Sequence, residues 1–226
     1  MTDFEEKLGY KFKDPQLIET ALTHSSYANE HHCAYNERME FLGDSVLSLV
    51  VSTFLYRELR QENEGSLSKI RASLVCEPAL AQLARKIELG KYIRLGRGEE
   101  NTGGRDRDSV LSDAYEAVIA AIYLDSDVSV IRRWLLAQMK DELDAALRGE
   151  SCHDYKTTLQ EVIQKDNKGR LAYTVISEHG PDHHKDFTVE VALSGKAIGC
   201  GNGQSKKEAE QEAAKDALKK LNHETL

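Results

Sequence analysis

Glu37, Glu40 and Asp44 fall within one short stretch, Glu37-Arg38-Met39-Glu40-Phe41-Leu42-Gly43-Asp44-Ser45. Read as a helix, Glu40 and Asp44 are four apart and share a face, and Glu37 sits one turn before Glu40. The apolar run Val46, Leu47, Leu49, Val50, Val51, Phe54, Leu55 follows at once, so the carboxylates stand at the mouth of a buried helix. A second pair, Asp113 and Glu116, is one turn apart and again leads into an apolar run, Val118 to Leu124. Two carboxylates about 4 Å apart repel by about 4 kcal/mol at an effective dielectric of roughly 20. A chain that gathers four must protonate some of them or bind a cation. Clustered carboxylate oxygens are hard ligands suited to Mg²⁺ or Mn²⁺.

Helical spacing dominates the first 149 residues. Asp14-Pro15 is a cap followed by proline, with Leu17, Ile18, Ala21 and Leu22 behind it. Thr23 to Tyr35 reads as a polar loop, and Asn36 as the cap of the acid-bearing helix, Glu37 to Leu59. Gly43 inside that helix costs about 1 kcal/mol relative to Ala, so something packs close to it, either another helix or a second subunit. Ser66 is read as the cap of a short helix holding Leu67, Ile70 and Leu74, and Pro78 opens one that ends at Gly90. Gly96 to Asp108, rich in glycine and charge, reads as a mobile loop. A last helix spans Val128 to Leu147. No strand-like alternation precedes Gly149.

Residues 150–153 read as a linker between a domain at 1–149 and a domain at 154–223. The second has the order α-β-β-β-α: an amphipathic Tyr155 to Lys165 with Leu159, Val162 and Ile163 facing in, strands near Ala172 to Glu178, Phe187 to Leu193 and Ala197 to Cys200, then a capping box at Ser205-Lys206-Lys207-Glu208. Gly180-Pro181-Asp182 turns the chain between the first two strands. Lys206 and Lys207 face the positive end of their helix macrodipole, which is unfavourable. They are either tolerated surface lysines or part of an anion site aimed at phosphate. Gly199, Gly201 and Gly203 favour the second reading by letting a backbone approach.

The net charge of −8 gives no global reason to expect a nucleic-acid partner. The case is local: residues 151–226 are nearly neutral, and 10 of their 11 basic residues are lysines. Cys33, Cys76, Cys152 and Cys200 are far apart with no CxxC, which reads as reduced thiols. His31-His32-Cys33 is a fragment of a metal set that nothing completes. The charged N-terminus is no signal peptide, and the longest unbroken apolar run is far short of a membrane span. A cytoplasmic protein with no membrane partner is expected.

The acid-bearing stretch resembles the nine-residue signature of the ribonuclease III family. Ala21-Leu22-Thr23-His24-Ser25-Ser26, Glu64-Gly65, and Ser109 to Asp125 match the same catalytic domain in order. Thr158-Leu159-Gln160-Glu161, Gly180-Pro181-Asp182-His183 and Gly201 to Lys207 are similar to a double-stranded-RNA-binding domain. The resemblance implies an all-α endonuclease domain followed by a small α+β binding domain. It implies a homodimeric, Mg²⁺-dependent endonuclease, with Mn²⁺ as substitute and no organic cofactor. Such an enzyme cuts both strands of an RNA duplex to 5′-phosphate and 3′-hydroxyl ends, in processing ribosomal RNA precursors and other structured transcripts.

By the same resemblance, Glu40, Asp113 and Glu116 hold the metal. Asp44 and Glu116 are essential to the chemistry, and Glu37 and Glu64 are auxiliary acids near the scissile phosphate. Phe41 packs against the partner subunit, and Gly43 joins it at the dimer interface. Gln160, Glu161 and Gln164 reach one minor groove of the duplex, His183 the next, and Lys206 and Lys207 the phosphates between. Two other classes compete: a protein that binds duplex RNA without cutting it, and a carboxylate-bridged di-iron protein. Intact acids argue against the first. The second usually adds Glu-x-x-His pairs, and no His follows any of the five clustered acids by three residues.

Overall fold

The computed structural model describes residues 2–149, 155–165, 169–179 and 185–223. The chain divides into two compact units, Met1–Cys152 and His153–Leu226. The expected linker at 150–153 and the turn at 180–182 lie outside the described residues.

The first unit is helical. It runs α1 (Thr2–Leu8), α2 (Pro15–Ala21), α3 (Ser25–His31), α4 (Glu37–Glu58), α5 (Glu64–Leu74), α6 (Glu77–Lys86), α7 (Arg97–Asn101), α8 (Asp108–Asp125), α9 (Val128–Gln138) and α10 (Lys140–Leu147). Asp14 caps α2 as expected, its side chain accepting the Gln16 N–H at 2.9 Å. Around α8 pack α4, α6, α2 and α9, and α8 is buried along almost its whole length, from Val110 to Ile122. By length and composition α4 could cross a membrane. Here it is a core helix, with Met39, Gly43, Val46, Leu47, Val50, Val51 and Leu55 buried on one face.

Long-range ties seat the N-terminal segment, those to Asp125 and Trp134 spanning the most chain. Asp125, at the end of α8, accepts from Tyr10 Oη at 2.7 Å, the Lys13 N–H at 3.0 Å and the Asp14 N–H at 2.9 Å. Trp134 Nε1 donates to the Leu8 carbonyl at 2.7 Å.

Four sequence readings are corrected here. The segment read as a loop at 23–35 contains α3, closed on its inner side by buried Ala28. Asn63, not Ser66, caps α5, its side chain accepting the Ser66 N–H at 2.9 Å. The segment 96–108 is not a free loop. It forms α7 and a 3₁₀ turn at Gly104–Asp106. Arg105 donates from it to the carbonyls of Gly90 (2.7 Å) and Ile93 (2.8 Å) and pairs with Glu100, while Arg107 pairs with Glu99. Finally, the helix read across 128–147 breaks at Met139 into α9 and α10.

The second unit runs α11 (Tyr155–Lys165), β1 (Leu171–His179), β2 (Asp186–Leu193), β3 (Lys196–Gly203) and α12 (Lys206–His223). The strands form one antiparallel sheet in the order β1-β2-β3. Tyr173 faces Val191, Val191 faces Gly199, and a bulge shifts the β1 register between Val175 and Ser177. Leu159, Ile163, Val189 and Val191 close on Ala209, Ala213, Ala214 and Ala217. Val162 does not face in as expected: it is 37% exposed.

Between β3 and α12 the packing leaves no room for side chains. A Cβ at Gly199 would lie 2.7 Å from the Ala217 nitrogen, one at Gly201 would overlap the Ala213 nitrogen, and one at Gly203 would lie 2.6 Å from the Ala209 nitrogen.

Candidate active site

The acid-bearing helix α4 begins where its backbone is tied down. Asn36 is buried, and its N–H donates to the Thr23 carbonyl at 3.0 Å. Its own carbonyl accepts from the Met39 and Glu40 N–H groups at 2.8 and 2.9 Å. It holds the N-cap position without a side-chain cap bond, so the capping expected of its amide is not made. Glu40 and Asp44 then flank the buried stripe, Glu40 half-buried and Asp44 exposed, with Glu37 exposed one turn earlier.

Gly43 brings the second acid pair to them. A Cβ at Gly43 would overlap the Glu116 carbonyl oxygen and lie 3.1 Å from its Cα. Only glycine lets α4 and α8 cross at this distance, and the crossing places Glu116 beside Glu40 and Asp44. Gly43 is buried against α8 of its own chain, so its expected place at a dimer interface is corrected. Of the two partners its spacing allowed, the structure selects the helix.

Electrostatics report the convergence. Burial pushes the Glu116 carboxyl up to about 8, and the charges of Asp44, Glu40 and Asp113 add to it. Glu40 is raised by burial and then by Asp113, Glu37 and Asp44. Asp113 is also raised, by burial foremost; the Ser112 hydroxyl opposes the shift, Glu77 adds to it, and His24 opposes it. Four carboxylates on two helices thus destabilise one another's charged forms, the situation a divalent cation relieves.

Their oxygens are the hard donors that Mg²⁺ or Mn²⁺ takes, and Glu40, Asp113 and Glu116 would hold the ion. Among the described residues, however, no three His, Cys, Asp or Glu are gathered to clasp an ion as they stand. The donor set fits such an ion in its chemistry.

Glu64 stands elsewhere. It opens α5, accepts from the Ser68 hydroxyl at 2.8 Å, and lines a groove of about 700 Å³ with Ser52, Tyr56, Arg57 and Arg71. Asp44 to Ser52 alone spans about 12 Å along α4, so one chain does not bring Glu64 to the other acids. Phe41 is 78% exposed. His24, Glu77 and Ser112 are the neighbours of Asp113 that sequence reasoning missed. His24 lay inside a quoted motif without a role, and Glu77 had no pattern to mark it.

In the second unit, Gln160, Glu161 and Gln164 lie exposed on the outer side of α11, opposite buried Leu159 and Ile163. His183 lies outside the described residues. Lys206 and Lys207 are exposed at the start of α12, with Lys206 Nζ 5.7 Å over the Phe187 ring. The capping box forms with one shift: Ser205 Oγ accepts the Glu208 N–H at 3.2 Å, while the Glu208 carboxylate accepts from Gln204 N–H at 2.8 Å. The three glycines of β3 do not wait for an incoming backbone. They are spent on α12, which withdraws their support for a phosphate site at Lys206 and Lys207.

Comparison with known proteins agrees in both units. Residues 14–143 match the ribonuclease-III-like family, and residues 155–221 match the double-stranded RNA binding motif. Ribonuclease 3 of Caldanaerobacter subterraneus subsp. tengcongensis is 52% identical over 223 residues, 98% of each chain. Ribonuclease 3 of Clostridium botulinum (strain Eklund 17B) is 47% identical over 220 residues, 97% of this chain and 95% of that one. The nuclease domain of ribonuclease III from Campylobacter jejuni superposes with a TM-score of 0.59 at 42% identity, covering 62% of this chain and 95% of that chain. With its helical nuclease domain, its paired acids and its α-β-β-β-α tail, the chain belongs to the ribonuclease III family and is an endoribonuclease specific for double-stranded RNA.

Proposed function

We propose that the protein is a Mg²⁺-dependent hydrolase that cuts both strands of an RNA duplex, leaving 5′-phosphate and 3′-hydroxyl ends. The observation that carries this reading is the raised carboxyl of Glu116 among three further acids. A group so placed is biased toward its neutral form, and a cation that offsets its neighbours favours ionisation. Glu40, Asp113 and Glu116 hold the ion. When bound, it supplies Lewis acidity for water and positive charge against the phosphate. Asp44, one turn from Glu40, accepts a proton from the attacking water. Glu37, exposed at the rim, is an auxiliary acid near the scissile phosphate.

A homodimer completes this reading. Phe41, Leu49 and Tyr56 are 78%, 58% and 75% exposed, and their spacing sets them along one side of α4. Leu49 is the midpoint. A two-fold axis there lays Phe41 against the Tyr56 groove of a second copy and carries that copy's Glu64 toward the acids of the first. The Campylobacter jejuni structure is described for flexibility in a region involved in dimer formation, which supports the same state here. The resemblance further supports action in the cytoplasm, on ribosomal RNA precursors and other structured transcripts.

The test is incubation with long duplex RNA, with and without Mg²⁺, followed by analysis of the fragment ends. Short duplex products with 5′-phosphates only when Mg²⁺ is present are expected. Cleavage in chelator, or 2′,3′-cyclic ends, would overturn the proposal. Sedimentation of the full chain tests the dimer.

A further inference from the structure

The two lysines at the start of α12 have carboxylates close behind them. Glu210 follows Lys206 by four residues and Lys207 by three, the spacings at which charged side chains meet along a helix. Left to itself, that carboxylate would pair with either lysine and compete with an RNA phosphate for it. Neither pair forms. Lys206 lies over the Phe187 ring, and among the described residues neither lysine is bridged to a carboxylate. The neighbouring acids are committed elsewhere: Glu208 accepts the Gln204 N–H at 2.8 Å, and Glu212 pairs with Lys215 at 2.9 Å.

Glu210 is turned the other way, toward α11. Its Oε2 accepts from Lys156 Nζ at 2.6 Å. The same ammonium lies 4.6 Å over the Tyr173 ring of β1, inside the range of about 6 Å over which a ring attracts a cation. The Lys156 main chain is fixed too, its N–H donating to the Gln211 side-chain oxygen at 3.2 Å. The ion pair is partly buried, its side chains 35% and 29% exposed, so salt screens it less than a pair on the open surface. That main-chain bond and the packing of Leu159 and Ile163 on the alanines of α12 already join the two helices. Joining them does not by itself account for the ion pair.

We propose that Lys156 is a positioning residue of the duplex-binding face: it holds Glu210 away from Lys206 and Lys207 and leaves both lysines to phosphate. A lysine contributes to a duplex complex by releasing the counterions of the phosphate it neutralises, and a lysine bridged inside the protein releases fewer. The inference rests on the reading that Lys206 and Lys207 meet phosphate.

The test uses the full chain carrying Glu116→Gln, with binding of one RNA duplex measured over a salt series and melting followed by circular dichroism. Lys156→Met removes the charge, keeps the main-chain bond to Gln211 and leaves a flexible apolar side chain on the Tyr173 ring. It is expected to melt near the parent, to bind more weakly at low salt, and to flatten the slope of log affinity against log salt by about 1 unit, the share of one lysine. Glu210→Gln is expected to keep the parent's slope, and Lys156→Met combined with Glu210→Gln to recover it. A tie that only supports the fold would make Glu210→Gln flatten the slope as Lys156→Met does. A phosphate contact made by Lys156 itself would leave the double variant as flat as Lys156→Met. Either result overturns the proposal, as does a parental slope in Lys156→Met. Changing Lys206 and Lys207 to Ala serves as control. If it flattens the slope while Lys156→Met does not, the proposal fails alone. If it leaves the slope unchanged, the reading of the two lysines fails and takes the proposal with it.

Discussion

In the first domain a glycine, Gly43, lets α4 lie against the Glu116 backbone; in the second, Gly199, Gly201 and Gly203 let β3 lie against α12. The local device is the same. In the first domain the close approach is made at the site itself, and it forces together carboxylates that repel. In the second it is made inside, between a sheet and a row of alanines. The outer side of α11 and the first turn of α12 are left to polar and basic residues. Close packing builds the chemistry in one domain and clears a surface in the other.

The sharpest way to break that contrast is Glu116→Gln. Cleavage is expected to fall by more than about 100-fold, because outer partners of a metal ligand alone cost about 10–100-fold. Duplex affinity should remain near that of the parent, and its loss in a folded variant would contradict the division of labour. A pH series sharpens the point. The Glu116 carboxyl is raised from 4.5 to about 8 in the folded protein. Its contribution to stability is therefore fully present below about 4.5 and is lost as pH rises through about 8. Glu40 and Asp113 are shifted in the same direction. The metal-free parent should melt progressively lower across that window, and Glu116→Gln should flatten the slope, as should Mg²⁺. A melting temperature that rises with pH over this range would refute the electrostatic reading.

Gly43→Ala adds one methyl at the α4–α8 crossing. Overpacking of this kind costs about 1–3 kcal/mol, and a misplacement of about 1 Å at reacting groups costs on the order of 100-fold in rate. Cleavage should thus drop further than the melting temperature explains, with duplex binding kept. Equal losses in both would make Gly43 purely structural.

Gly201→Ala is the matching change in the second domain, with a similar expected cost of about 1–3 kcal/mol. Because that core is small, calorimetry should show this domain melting ahead of the first. Duplex affinity should fall while cleavage at low salt persists. Cleavage lost at low salt as well would mean the two domains are not separable in this way.

Changing Lys206 and Lys207 together to Ala should have the mildest effect. The slope of log affinity against log salt should flatten by about 2 units, one per phosphate contact, equally for duplexes of different sequence. Binding by a Glu116→Gln background over a salt series measures it. With the β3 glycines committed to α12, an unchanged slope would leave these as surface lysines.

Periodicity made much of this molecule readable. The acid pairs are local in sequence, and α-β-β-β-α follows from a switch between 3.6- and 2-residue spacing. What sequence reading missed was held by partners far along the chain. Polar α3 reads as loop until His24 caps it and Ser26 takes the Gly96 N–H from 70 residues away. The glycine-rich segment reads as mobile until Arg105 reaches back to Gly90 and Ile93. The β3 glycines invited a ligand because nothing in their spacing names α12 as the neighbour. Glu64 matched a motif yet stands apart from the acids, since a motif gives order along the chain and not proximity.

The ties at Asp125 and Trp134 have a consequence for how the chain is made. Helix α1 is made before its partners: Leu8 finds the Trp134 ring nitrogen, and Tyr10, Lys13 and Asp14 find Asp125, only after more than a hundred further residues. At about 5–20 residues per second, that is a delay on the order of ten seconds. During it Leu8, fully buried in the finished domain, lacks its Trp134 partner, while Phe4 meets Tyr92 earlier, at 4.6 Å between ring centroids. Until then the N-terminal segment is tied only in part, through Tyr92 and Glu88, and α8 and α9 complete its seat.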